Sequence, residues 1–143
     1  MIFTVVTVLI AIIFFIWAYV TKFSPSKRYF FTNTSGWSKS QDILKNQDST
    51  LEIKSINPET TSKESFKSLC DLEFKTYNGS NLSFGETTFR GRSGYKCSFD
   101  SDNNTHAIFY IPSESIGYQA IILNYPATDP SKINDLINGL VLY

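Results

Sequence analysis

Two cysteines, one histidine and a short basic run are the residues of this chain whose chemistry can be argued from type and spacing. Cys70 falls on the apolar face of an expected helix and Cys97 on the apolar face of an expected strand. A disulfide between them would pin that helix to the sheet, worth about 3 kcal/mol in the loop-entropy account. The alternative is a pair of buried thiols. A redox role needs an exposed, activated thiol, which two inward-facing cysteines do not offer. His106 stands at the edge of an expected strand, after a polar turn. General acid–base chemistry needs a partner, and no sequence neighbour supplies one, so it reads as an exposed strand-edge side chain.

Other chemistries lack their residues. One histidine and two cysteines form no zinc-ligand spacing. Asp100-Ser101-Asp102-Asn103-Asn104 starts like a calcium loop but lacks the glycine and the distal glutamate, so it reads as a turn. No nucleophile elbow or Walker loop occurs, and Gly91 and Gly94 lack the strand–helix context that cradles phosphate. No catalytic residue, metal or cofactor is expected. Arg90, Arg92 and Lys96 form the local basic cluster. Two arginines on one side of a strand would fork onto a partner's carboxylates or onto lipid phosphates; the plain alternative is a solvated hairpin tip. Trp37 is a second candidate for partner contact, and otherwise a packing residue.

These groups must be held by elements that the pattern outlines. Tyr29–Asn33 reads as a short aromatic strand, followed by the turn Thr34-Ser35-Gly36 and Trp37. Leu51 and Ile53 alternate with Glu52 and Lys54 as a half-buried strand ends at Asn57-Pro58. Thr61-Ser62-Lys63-Glu64 fits a capping box, opening a helix with Phe66, Leu69 and Cys70 inward. A meander follows: Leu82 to Phe89, a turn at Arg90–Gly94, then Tyr95, Cys97 and Phe99 at a period of two, with a polar turn at Asp100–Thr105. His106–Ile111 and Tyr118–Tyr125 are two more strands. The apolar run Ala120–Leu123 marks the second as central and buried on both faces. Asp129 caps a last helix with Pro130 at its first position, Ile133, Leu136 and Ile137 form its stripe, and Asn138-Gly139 stops it before Leu140–Tyr143.

The first twenty residues, MIFTVVTVLIAIIFFIWAYV, contain no charge and no helix breaker. At about 1.5 Å per residue such a helix matches a bilayer core of about 30 Å. Residues 1–21 are therefore expected to be an uncleaved transmembrane anchor, with Trp17, Tyr19 and Lys22 at the headgroup layer and residues 22–28 as linker. The sidedness signals conflict. Lys22, Lys27 and Arg28 favour a cytoplasmic body, whereas the paired cysteines favour an oxidising compartment. The expectation is a single-pass protein with its soluble domain outside the cytoplasm, periplasmic or lumenal. Four Asn-x-Ser/Thr sequons, at Asn33, Asn78, Asn81 and Asn103, carry little weight in so Ser- and Thr-rich a chain. Residues 29–143 form one domain that carries a net charge of −3, no footprint for nucleic acid.

The order of elements, with Phe31-Thr32-Asn33-Thr34-Ser35-Gly36-Trp37, the segment Gly85-Glu86-Thr87-Thr88-Phe89-Arg90-Gly91-Arg92-Ser93-Gly94-Tyr95, and the closing Gly117–Leu123 and Ile133–Tyr143, resembles the PsbP-like superfamily. That resemblance implies an α+β fold, an antiparallel sheet flanked by two or more helices, and protein binding more often than catalysis. It supplies no shared catalytic set. The expected function is that of a membrane-anchored, non-catalytic protein-binding domain. It would serve as an accessory or assembly subunit of a membrane complex, or as an immunity-type protein that neutralises a toxin. The competing expectation is a ligand-binding or enzymatic domain with a pocket between sheet and helix.

Overall fold

The structure, a computed structural model, describes residues 29–56, 61–113 and 117–142. The expected anchor over 1–21, with Trp17, Tyr19 and Lys22, and the linker 22–28 lie outside the described residues. No helix among the described residues is long and apolar enough to cross a membrane.

The elements run β1 (Tyr29–Phe31), β2 (Ser38–Ser40), β3 (Ile43–Asn46), β4 (Ser49–Ile56), α1 (Lys63–Thr76), β5 (Ser80–Phe89), β6 (Arg92–Ser101), β7 (Asn104–Ser113), β8 (Gly117–Pro126), α2 (Ser131–Asn138) and β9 (Leu140–Leu142). Seven strands form one sheet in the order β2-β3-β4-β8-β7-β6-β5, every neighbouring pair antiparallel. Strand makes up 57% and helix 21% of the described residues, so the α+β expectation is corrected to a mainly β fold. Two helices do not flank this sheet as layers: α1 rests on β5 and β6, and α2 on β4.

The physical reason is the economy of the turns. Arg90 and Gly91 both have positive φ, 52° and 77°, as do Asp102 and Asn103, 51° and 65°. Two such residues in succession make the two-residue turn whose twist matches that of the strands it joins. The ladder therefore runs up to each turn: Phe89 pairs with Arg92, and Ser101 with Asn104. Residues expected as loop, Arg92–Gly94 and much of Asp100–Thr105, are strand instead. Gly94 is needed for approach rather than for φ, because a Cβ there would lie 2.2 Å from the Tyr110 carbonyl oxygen.

Register divides the side chains between two faces. Cys97, Ile108 and Ile122 align across β6, β7 and β8 on the face that α1 covers. Leu51, Leu123 and Ala107 align on the opposite face. Ala120, Ile121 and Leu123 are buried, and β8 lies between β4 and β7, as the apolar run requires.

Helix ends follow local chemistry with small shifts. The α1 cap is Ser62, not Thr61: its hydroxyl accepts from the Ser65 amide at 3.2 Å. At the other end Asn78 takes the left-handed conformation, φ 50°. Its amide donates to the Lys75 carbonyl at 3.2 Å and the Gly79 amide to Phe74 at 2.9 Å, the doubly bonded helix stop that Asn or Gly permits. Leu69, expected inward, is 37% exposed, and Phe66 and Cys70 are the buried residues of α1. At α2, Pro130 already has helical φ and ψ, −81° and 0°, and its carbonyl accepts from Asn134 at 3.0 Å. Pro130 is therefore the N-cap, one residue after the expected Asp129 and without a side-chain cap bond; Asp129 precedes the helix, its carboxyl accepting from the Ser131 amide at 3.2 Å and from the Ser131 hydroxyl. These bonds from Ser131 hold its carboxyl below the usual range. Gly139 has φ −87°, so it is not a left-handed stop; a Cβ there would lie 2.9 Å from the Thr32 hydroxyl. The Thr32 amide donates to the Gly139 carbonyl at 2.8 Å.

Candidate functional site

Cys70 and Cys97 are joined in a disulfide, with Cα atoms 5.6 Å apart and both residues fully buried. Around it Phe66 contacts three tyrosines, with ring centroids 5.3 Å from Tyr95, 5.2 Å from Tyr110 and 4.6 Å from Tyr118. This cluster seats α1 at a defined position on the sheet.

The three basic residues are each engaged within the chain. The exposed Arg90 donates through Nη2 to the Ile137 carbonyl in the last turn of α2, where unpaired carbonyls and the negative helix end favour a cation. Arg92 donates through Nη1 to the Pro112 carbonyl at 3.2 Å. Lys96 places Nζ 5.4 Å from the Phe109 ring centroid. Arg92 and Lys96 share the sheet face opposite Cys97, while Arg90 belongs to the turn. Trp37 is half-buried and donates its amide to Thr34 at 3.0 Å.

His106 corrects its expected exposure. It is 6% exposed and lies between two rings, 4.9 Å from Phe99 at an interplanar angle of 11° and 4.5 Å from Tyr77 at 37°. Register explains this: His106 pairs with Phe99 across β6 and β7, on the face beneath the end of α1.

There a cleft of about 140 Å³ opens between α1 and the sheet. Glu73 comes from α1 and Tyr77 from its C-cap, Ile43 from β3, Glu52 from β4, Phe99 from β6, His106 from β7 and Asn124 from β8. The half-buried Glu73 makes no ion pair among the described residues. Glu52 is 3.2 Å from Lys54. Asn124 Oδ1 is buried without a hydrogen-bond partner. The rim is apolar and open to solvent: Ile43 is 38% exposed and Tyr77 47%. Leu69 and Leu72, 37% and 61% exposed, add apolar surface on α1 outside the cleft lining; Leu69 stands one turn before Glu73, while Leu72 points away from it.

Burial holds the His106 imidazole below its ordinary value of 6.5, and Asp102 and Asp100 offset part of that effect. Tyr110, buried behind the cleft, is raised by burial first and then by the Glu73 charge. For His106 the sign follows from linkage. Below pH 6.5 the unfolded chain takes up a proton that the folded chain resists, so stability falls as pH drops through that value. His106→Gln is expected to flatten the stability profile between about pH 7 and pH 5, measured by urea unfolding; an unchanged slope would show that His106 is not its source. Asp100, held low by hydrogen bonds from Asn81 and Thr105, acts only below that window. Its contribution is present above 3.8 and is lost as pH falls through its lowered folded value.

A second, open trough of about 510 Å³ is lined by Glu86, Thr87, Thr88, Ser93, Gly94, Tyr95 and Tyr118. Its carboxylate, Glu86, is exposed and paired with Lys63 at 3.3 Å. Among the described residues no three His, Cys, Asp or Glu side chains converge to hold a metal ion.

Sequence reasoning missed the cleft. Its residues come from β3, β4, α1 and its C-cap, β6, β7 and β8, so no local motif contains them. No local signal pointed to it: Leu69 was expected inward with Phe66 and Cys70, and its exposure emerges only in the structure. Compared with protein-family models, curated proteins and solved structures, the chain matches none.

Proposed function

We propose that this domain is a non-catalytic protein-binding module that works outside the cytoplasm at a membrane surface. It acts there as an accessory or assembly subunit of a membrane complex, or as an immunity-type protein against a toxin. The observation that carries this reading is the exposed apolar surface made by Ile43 and Tyr77 at a small acidic cleft and by Leu69 and Leu72 on α1. Exposed apolar side chains rimming a polar depression are what an interface core looks like before its partner arrives. The buried disulfide supports the oxidising compartment. The uncharged run over the first twenty residues of the sequence supports the membrane location. The succession of strands, helix, meander, helix and terminal strand is the basis for the PsbP-like likeness, whose members more often bind proteins than catalyse. The cleft of about 140 Å³ falls below the 300–1,000 Å³ usual for substrate pockets; the trough of about 510 Å³ falls within that range but is open, and its one carboxylate, Glu86, is exposed and paired with Lys63.

The test is cross-linking and pull-down of the full-length protein from its own membranes in mild detergent, read by mass spectrometry. One stoichiometric partner is expected, and Leu72→Arg, a change at an exposed position, should abolish its recovery without unfolding the chain. Recovery of the same partner at the same yield with Leu72→Arg would remove this exposed face of α1 from the interface. Absence of any partner across growth conditions would count against a constitutive subunit.

A further inference from the structure

We propose that the cleft beneath α1 is a socket for a lysine side chain presented by the protein partner, with Glu73 as the counter-charge. The assignment rests on the protein-binding reading above and makes it specific. The groups that converge on the cleft suit an ammonium group. Glu73 is a half-buried carboxylate with no ion pair among the described residues, and Glu52 shares its charge with a single exposed lysine. Asn124 Oδ1 is an acceptor with nothing donating to it. The site lies at the C-terminal end of α1, the negative end of the helix dipole. The rings of Tyr77 and Phe99 line it, and aromatic faces attract cations.

Size and shape narrow the occupant. About 140 Å³ leaves room for a butylammonium stem and head, while the apolar rim would cover the methylenes as the charge goes in. An arginine fork wants paired acceptors in one plane. Here the acceptors come from an α1 carboxylate and a β8 amide, a spread that suits the three rotatable donors of an ammonium. Moving that charge out of water is favourable only where acceptors already wait for it, and Glu73 with Asn124 would supply them.

His106 is the one histidine of the chain and lines the cleft, so its imidazole C–H resonances report occupancy without assignment. The experiment titrates n-butylammonium into the full-length chain in detergent, with n-butanol as the uncharged analogue. A saturable shift of the His106 signals is expected with the amine and not with the alcohol. Glu73→Gln should weaken the amine at least about tenfold, whereas Glu86→Gln, at an exposed carboxylate beside the other trough, should leave it unchanged. No saturable shift, equal response to amine and alcohol, or full binding by Glu73→Gln would each overturn the socket. Recovery of a partner by pull-down together with absent amine binding would overturn the socket alone. Amine binding by a chain that captures no partner would overturn the protein-borne lysine.

Discussion

Replacing both Cys70 and Cys97 by alanine is expected to lower the unfolding free energy by about 3 kcal/mol and the melting temperature by roughly 10 °C. The cross-link ties residues 27 apart in sequence, and much of its effect is to restrict the unfolded chain rather than to add a contact to the folded one. The double variant should therefore keep the folded structure under mild conditions and lose it earlier on heating or in urea. Burial adds a kinetic expectation. Both sulfurs are shielded by α1 and the sheet, so a thiol reductant should reach them only after local or global opening. Rapid reduction of the folded protein, or a stability loss below about 1 kcal/mol, would show that the bridge does not hold α1 in place.

The second large effect is expected at Phe66. The side chain is fully buried and within 5.3 Å, centroid to centroid, of each of three tyrosine rings. Phe66→Ala removes a ring's worth of transfer free energy and leaves a cavity that Tyr95, Tyr110 and Tyr118 cannot collapse into without leaving their own positions. A cost of about 3–5 kcal/mol follows, a large part of the 5–15 kcal/mol that holds an ordinary domain together. Phe66→Leu should cost less than half as much. The functional consequence follows from topology: Phe66 seats the helix that carries Glu73 and Tyr77, so Phe66→Ala should weaken partner capture even where the domain remains folded. Urea unfolding of both variants measures the first effect, and pull-down yield of folded protein the second. Equal costs for alanine and leucine would mean that ring packing is not what seats α1.

Much of the framework was legible because two short periodicities report burial directly. Tyr95, Cys97 and Phe99 alternate with polar residues, and Phe66 and Cys70 are one helical turn apart. Those patterns alone faced the two cysteines toward each other before any geometry was known. Thr61–Glu64 and Asp129-Pro130 marked the helix starts to within one residue, by chemistry that acts over two or three residues. Strand length was less legible. Arg92–Gly94 looked like turn because of its glycine and charge, but the Arg90-Gly91 pair closes the hairpin by itself, and Gly94 is there to let β6 pass Tyr110.

Sequence alone determined what neighbours along the chain can settle: the inward positions Phe66 and Cys70 of α1, the faces of β6, the helix starts to within a residue, the two-sided burial of β8, and the disulfide as one of two states open to the cysteines. Only the tertiary structure decided what depends on contacts between distant residues. Tyr77 and Phe99 bury His106, Arg90 reaches a carbonyl 47 residues later, and the cleft takes its wall from six elements. The physical reason is range. Backbone sterics and hydrogen bonding couple residues up to about four apart, and so leave a readable local pattern. Burial of a polar group and convergence of charge are set instead by which strands become neighbours and in what register, and a shift of one residue would turn every side chain on β7 to the other face.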